Sequence, residues 1–224
     1  SRTRVVYEGI DLDRITAAPP VDAHAEFGLP AGVPIVGNVA ALVPHKGQRY
    51  LVDAAARVVQ TIPGARFLVV GDGELETRLR HQLKRLALEA HVILTGFRPD
   101  VLSLHKSFDL FVMSSLTEGL GTSVLDAMAC GRPVVGTKAG GIPESISDGQ
   151  TGLLVPVRDS PALAEAIIRL LCDPSLSRAF GNAGRDRVRD LFSAERMVDE
   201  TVAVYSEPVD TNRATDTARP PGAG

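Results

Sequence analysis

Residues 109–136, with the sequence DLFVMSSLTEGLGTSVLDAMACGRPVVG, contain two short apolar runs separated by a glycine-rich loop and a helix-like segment. The runs at 109–113 and 133–136 are continuous rather than alternating, which is typical of parallel strands covered on both faces. Between them, 122–130 is apolar nearly all round except at Asp126, so it predicts a buried helix. One strand–helix–strand unit is therefore expected here.

The same alternation of strand and helix continues on both sides of this unit. It predicts an α/β domain built on a Rossmann-like, doubly wound parallel sheet. After Pro161 the pattern is helical alone, and 207–224 is rich in Pro, Gly, Thr and charge without periodicity, which predicts a disordered tail. Further strands are expected at 35–39, 66–70, 92–94 and 152–155, and helices at 48–60, 74–89, 162–171, 175–191 and 193–205.

The composition excludes several classes of protein. The chain has 24 Lys and Arg against 27 Asp and Glu, a net charge of −3, whereas a nucleic-acid-binding surface would leave a basic excess. Aromatic residues make up 4% and Trp is absent, so a protein that grips sugars by stacking is not expected. No apolar run approaches the ~18–20 residues of a membrane helix. Cys130 and Cys172 are expected to be reduced thiols of a cytoplasmic protein, with a disulfide as the open alternative.

Three loops follow strands at the edge where α/β sheets bind ligands. The first contains Lys46 just before a helix, where its positive charge would suit a phosphate group. The alternative is that Lys46 is a surface lysine without a binding role. In the second, 114–123, two glycines and a helix start favour an anion, while Glu118 suits sugar hydroxyls. Asp126, inside the following helix, needs partners that ribose hydroxyls would supply. The third, 138–144, is a glycine turn that leads to a Pro at a helix start. A purely structural role as a turn explains these residues nearly as well as contact with a ligand does.

Other kinds of site have weak support. Gly119-Leu120-Gly121 and Gly71-Asp72-Gly73 each lack the third glycine of a dinucleotide-binding loop. Asp11 and Asp13 have the form of a metal-binding pair but do not follow a clear strand, and no paired His or Cys spacing is present, so no metal site is expected. No Gly-x-Ser-x-Gly elbow of a hydrolase occurs.

The block 118–135, EGLGTSVLDAMACGRPVV, resembles the signature of retaining glycosyltransferases of family 4. The resemblance implies one half of a two-domain GT-B fold, followed by carboxyl-terminal helices. It implies that 1–15 is an interdomain linker segment and 16–206 a nucleotide-sugar-binding domain. It also implies an amino-terminal domain, absent from this sequence, that supplies most acceptor contacts. Segments similar to the family, in the family's order, are 36–47, 70–73, 95–98, 140–144 and 151–155.

The resemblance also implies roles for single residues. Glu118 would hold hydroxyls of the transferred sugar, and Lys46 would neutralise the departing diphosphate. Asp126 would bind ribose, at a position where the family usually has Glu. The family usually has a diphosphate-binding Arg where this chain has Ala41, and Arg49 is the candidate substitute. The remaining donor contacts are implied for the backbone of Gly119, Leu120, Gly121 and Thr122, and for Phe97 and Arg98 beside the base.

Together these roles imply the donor-binding domain of a metal-independent retaining glycosyltransferase of the hexosyltransferase type. It would need no cofactor, because the UDP- or GDP-linked sugar is a substrate, and its acceptor would be a glycan, a lipid or a small molecule. We expect it in the cytoplasm, at the inner face of the membrane through the absent domain. Because Ala41 removes a cation and a domain is missing, a non-catalytic nucleotide or nucleotide-sugar binding module is the alternative. A sugar-nucleotide epimerase of GT-B fold would not be expected to carry the block from Glu118 to Asp126.

Overall fold

The computed structural model describes residues 4–206 and is built around a six-stranded parallel sheet. The strand order is β3-β2-β1-β4-β5-β6, so the winding direction reverses between β1 and β4. Doubly wound sheets bind ligands at this reversal, beyond the carboxyl ends of the strands. The strands are β1 (Ile35–Val39), β2 (Arg66–Val70), β3 (Val92–Gly96), β4 (Leu110–Met113), β5 (Val134–Thr137) and β6 (Leu153–Val155).

The sheet separates two apolar cores, one on each face. In β4, Val112 belongs to one core and Phe111 to the other, and the remaining long strands alternate in the same way. Both faces are therefore covered, which is why the strand sequences are continuous apolar runs. One core is covered by α3 (Gln48–Thr61), α4 (Glu76–Arg85) and α8 (Ser160–Cys172); the other by α1 (Leu12–Ala17), α2 (Ala23–Glu26), α5 (Val101–His105), α6 (Thr122–Ala129) and α7 (Ile142–Ser145).

The last two helices close the domain against its amino-terminal segment. α9 (Pro174–Leu191) contributes Phe180 to one core and Val188 to the other. At the start of α10 (Ala194–Ser206), the backbone N–H of Ala194 donates to Ile10 O at 3.0 Å. Ile10 N–H in turn donates to Phe192 O at 2.8 Å, so the two ends of the described chain meet.

The predicted fold class is confirmed, and so are the predicted strands and the three helices after Pro161. The predicted helix at 74–89 is wrong in length, because α4 covers ten residues, Glu76–Arg85. It is preceded by Gly73 at φ 149° and followed by Ala87 at φ 53°, and neither conformation continues a helix. The linker at 1–15 and the domain at 16–206 stay predictions, and the predicted tail at 207–224 lies outside the described residues.

The structure also bears on the predictions about the two cysteines and about membrane-spanning helices. Cys130 and Cys172 are both free thiols, the first buried and the second exposed, so the disulfide alternative is wrong. Among the helices of residues 4–206, none combines the length and the apolar character needed to cross a membrane.

Candidate functional site

The loops after β1 and β4 are joined directly at the carboxyl edge of the sheet. The backbone N–H of Leu116 donates to His45 O at 2.7 Å, and Ser114 Oγ donates to Lys46 O at 3.1 Å. Gly47 has a φ of 67°, and a Cβ there would lie 2.2 Å from Ser114 O. Glycine is therefore required for the approach that carries Lys46 to the β4 loop.

This approach brings together the two residues to which the resemblance gives catalytic roles. Lys46 Nζ lies 2.6 Å from Glu118 Oε2, although the residues are 72 positions apart in the sequence. Their side chains are 20% and 13% exposed, so the pair is shielded from much of the solvent and remains reachable by a ligand. A cation and a carboxylate that lie side by side can bind an anionic group and neighbouring hydroxyls of one ligand.

Two residues that sequence reasoning missed hold Glu118 in place. Ser115 Oγ donates to Glu118 Oε2 at 2.9 Å. Ser115 is itself fixed, because Thr137 Oγ1 in β5 donates to Ser115 O at 2.6 Å. The polar residues at the ends of two buried strands were the available signal, since the carboxyl ends of parallel strands meet at one edge.

The glycine loop ends at the uncapped start of α6. Gly121 is the N-cap residue with φ 78°, and no side chain caps the helix. The first backbone N–H groups of a helix need partners, and together with the helix dipole they attract anions. The loop after β5 holds this glycine loop in place, because Gly141 N–H donates to Gly119 O at 2.9 Å. Leu120 and Thr122 flank Gly121, so the predicted backbone donors lie next to Glu118 along the chain.

Asp126 lies one turn inside α6 and lines a separate cavity of about 350 Å³. The other residues there include Arg14 of α1 and Val101 and Leu102 of α5. Burial raises the pKa of the Asp126 carboxyl to about 6, and the charge of Arg14 partly offsets this increase. A half-buried carboxylate beside apolar α5 residues can accept hydrogen bonds from hydroxyl groups that enter the cavity.

The raised pKa of Asp126 predicts a specific pH dependence of stability. Between pH 4 and 6 the folded state holds a proton that the unfolded state releases, so the free energy of unfolding falls as pH rises through this window. The effect reaches up to about 3 kcal/mol above pH 6. Relative to the wild type, Asp126→Asn should be more stable at pH 7.5 and gain much less at pH 4, as measured by urea unfolding. An equal change in stability at both pH values would contradict this.

The structure gives Arg98 partners within the chain. Its guanidinium donates to both carboxylate oxygens of Asp100, at 2.8 and 2.7 Å, and also to Glu26 of α2. The hydrogen bonds to Asp100 and Glu26 raise the pKa of Arg98. The neighbouring Phe97 is 70% exposed and free to contact a ligand. The contact of Phe97 and Arg98 with a base stays a prediction, and of the two Phe97 has the available side chain.

Arg49, the candidate substitute for the missing cation, lies in the first turn of α3. Its guanidinium stacks over the ring of Tyr50 at 4.4 Å and lines a cavity together with Arg78 of α4. Lys46 is not among the residues that line this cavity. The role of Arg49 toward a diphosphate stays a prediction.

Of the acidic pair near the amino terminus, Asp11 stabilises the local fold. Asp11 Oδ1 accepts a hydrogen bond from the backbone N–H of Arg14 at 3.0 Å and so caps α1. Residues 4–206 contain no group of three or more His, Cys, Asp and Glu side chains placed to hold a metal ion.

Comparison with known proteins identifies the family. The family model "Glycosyl transferases group 1" matches residues 22–187. This chain belongs to that family. The match extends from α2 to α9 and includes Lys46, Glu118 and Asp126.

Two curated relatives of this chain come from bacteria. The putative glycosyltransferase EpsD of Bacillus subtilis is 33% identical over 205 residues, which cover 90% of this chain and 54% of EpsD. A GDP-mannose-dependent monoacylated alpha-(1-6)-phosphatidylinositol monomannoside mannosyltransferase of Corynebacterium glutamicum is 35% identical over 211 residues, covering 89% and 55%. The chain therefore spans about half the length of these relatives.

A solved structure that the chain resembles has the same fold. Anabaena Alr3699/HepE, determined with UDP and glucose, superposes with a TM-score of 0.82 at 28% identity. The superposition covers 91% of this chain and 56% of HepE. The chain thus has the Rossmann-like architecture of one half of a GT-B glycosyltransferase.

Proposed function

We propose that this chain is the donor-binding domain of a metal-independent, retaining glycosyltransferase of family 4, which moves a sugar from a nucleotide-diphosphate sugar to an acceptor. The observation that carries the proposal is the contact of Lys46 with Glu118 beside the uncapped start of α6. These groups provide a cation, a carboxylate and free backbone donors at one place. That combination suits a ligand with both a diphosphate and a sugar.

In the proposed complex, each part of the donor meets groups of matching chemistry. The diphosphate binds at Lys46 and the N–H groups at Gly121 and Thr122, while sugar hydroxyls donate to Glu118. When the bond between the sugar and the diphosphate breaks, its electron pair leaves with the diphosphate oxygen. Lys46 and the helix start then stabilise the developing negative charge. The acceptor hydroxyl attacks from the same face and its proton passes to the departing diphosphate oxygen, so the configuration at the sugar carbon is retained.

Asp126 would accept hydrogen bonds from the ribose in its cavity, and Phe97 would lie beside the base. This assignment has a pH consequence, because the pKa of Asp126 is raised to about 6. The ionised carboxylate accepts hydrogen bonds, so nucleotide affinity should fall as pH drops below 6, and less so for Asp126→Asn. Compared with Glu, Asp126 is shorter by one methylene, which favours a contact through water.

The names of relatives support the proposed donor class. HepE was solved with UDP and glucose, and the Corynebacterium enzyme is named for GDP-mannose. We infer a UDP- or GDP-linked hexose as donor and a glycan, a lipid or a small molecule as acceptor. Because those relatives are about twice as long as this chain, we also infer an amino-terminal GT-B domain that completes the acceptor site. The free thiols of Cys130 and Cys172 favour a cytoplasmic location.

One feature favours a second candidate function, a nucleotide-binding module without catalysis. Ala41 stands where the family usually has a diphosphate-binding arginine, and its side chain carries no charge. Gln48 Nε2 donates to Ala41 O at 2.8 Å, so this side-chain amide is engaged with the backbone. A module would keep nucleotide affinity and lack transfer.

Calorimetric titration with UDP and with GDP tests the proposal directly. We expect this chain to bind one nucleotide with the higher affinity, and Glu118→Gln to weaken binding of the nucleotide sugar more than binding of the free nucleotide. Transfer is then measured in the longer protein that contains this domain. Nucleotide binding without transfer would favour the module, and failure to bind either nucleotide would refute both functions.

A further inference from the structure

A second cavity lies between α3 and α4 and is bordered by the β1 loop. It has a volume of about 500 Å³ and is lined by Arg49, Arg78 and Arg158, while neither Lys46 nor Glu118 lines it. An adjoining cavity of about 400 Å³ shares Arg49 and Arg78 and adds Arg85 and His81. We propose that this arginine groove (Arg49, Arg78, Arg85 and Arg158) binds a phosphate-bearing small molecule at a site separate from the donor site, so that Arg49 serves this ligand and not the donor diphosphate.

The charge of the groove is largely uncompensated. Among the described residues, Arg78, Arg85 and Arg158 take part in no ion pair. Of the described residues that line the two cavities, Asp53 is the one carboxylate, and its Oδ1 already accepts a hydrogen bond from Gln82 at 2.8 Å. Positive groups that converge without counter-charges in a chain of net charge −3 favour an anionic ligand.

The backbone holds Arg158 in an uncommon conformation. Its φ is 63°, in the left-handed region that residues with a Cβ rarely adopt. The next residue, Asp159, caps α8 by accepting a hydrogen bond from Ala162 N–H at 2.9 Å, which fixes the chain just after Arg158. Such conformations cluster at binding sites, where surrounding structure holds them in place. Here the result is a guanidinium brought to the groove from the loop after β6.

The amino-terminal end of α3 forms part of the wall of the groove. Gln48 is fully buried and lines the larger cavity. Gln48 also begins α3, whose N-cap Gly47 supplies no side-chain cap, so the positive end of this helix faces the same region.

The size and lining of the groove fit a small molecule. Ligand cavities commonly measure about 300–1,000 Å³ and combine apolar walls with a few polar groups. The apolar wall here consists of Leu75, Leu79 and Leu116. One guanidinium group can donate two parallel hydrogen bonds to a phosphate, which gives more specificity than a lysine provides. In such a ligand the phosphate would contact the arginines, and a remainder of about the size of a sugar would lie against the leucine wall.

Calorimetry of this chain with inorganic phosphate and with glucose 6-phosphate, at matched ionic strength, tests the proposal. Arg78→Gln and Arg158→Gly should each weaken glucose 6-phosphate binding by roughly 10-fold or more. Glycine at 158 keeps the left-handed backbone accessible, so the variant removes the guanidinium without adding strain. Lys84→Ala, which removes one charge from α4 outside both cavities, should leave the affinity within about 2-fold of the wild type.

Separate titrations distinguish this site from the donor site. Saturating UDP should leave glucose 6-phosphate affinity unchanged, and Arg78→Gln should leave UDP affinity unchanged. The proposal is overturned if the wild type binds no sugar phosphate at millimolar concentration, if UDP displaces it, or if Lys84→Ala weakens it equally. Binding of phosphatidylglycerol vesicles without binding of free sugar phosphate would also overturn it, in favour of a membrane surface. None of these outcomes depends on whether the chain takes part in sugar transfer.

Discussion

Replacing Lys46 with alanine is expected to lower the turnover number for sugar transfer about 10²- to 10³-fold in the enzyme that contains this domain. The charge that Lys46 stabilises develops on the diphosphate as the sugar leaves, so the loss falls mainly on the transition state. Affinity for the intact nucleotide sugar should fall less. Steady-state kinetics with donor and acceptor varied separately measure both quantities.

The ion pair makes this prediction sharper. Lys46 Nζ is 2.6 Å from Glu118 Oε2, so removal of Lys46 leaves a largely buried carboxylate with Ser115 as its remaining side-chain partner. The double variant Lys46→Ala/Glu118→Gln should therefore lose less activity than the product of the single losses, because the two residues act together. Lys84→Ala removes the same charge from α4 and serves as the control. Unchanged turnover in Lys46→Ala would remove Lys46 from the mechanism.

Sequence periodicity predicted the parts of the fold in which many residues obey one rule. The buried strands β2, β4 and β5 are continuous apolar runs because both faces are covered, and that pattern is visible in a single sequence. α1, α2 and α5 escaped prediction because helices of six, four and five residues are too short to show a period. Asp11 and Asp22, which cap α1 and α2, were the available local signals.

The candidate site was predictable to the level of loops and not of contacts. Topology places the loops after β1 and β4 side by side, so Lys46 and Glu118 were expected at one edge. Their direct contact depends on backbone geometry at Gly47, which no spacing rule supplies. The partner of Arg98 was not predictable either, because its ion pair with Glu26 involves α2, an element that periodicity did not reveal.

Gly140→Ala is expected to damage both stability and donor binding. Gly140 has φ 51°, and a Cβ there would lie 1.8 Å from Glu118 O. The overlap involves backbone, so it is relieved when the loop that carries Glu118 moves. We expect a loss of about 3–4 kcal/mol in the free energy of unfolding, from left-handed strain together with overpacking. UDP-sugar affinity should fall as well, because Glu118 shifts away from Lys46.

Gly149→Ala measures the effect of left-handed backbone strain without steric overlap. Gly149 also has a left-handed φ, 73°, but a Cβ there would meet nothing within 4 Å. Its replacement should cost about 1–2 kcal/mol from strain alone and leave nucleotide binding unchanged. Urea unfolding and calorimetry on the two variants measure both effects. If Gly140→Ala behaves like Gly149→Ala in both measurements, the β5 loop does not set the position of Glu118. A selective loss of binding in Gly140→Ala would instead mean that the loop following β5, which carries none of the proposed donor contacts, positions the carboxylate that binds the sugar.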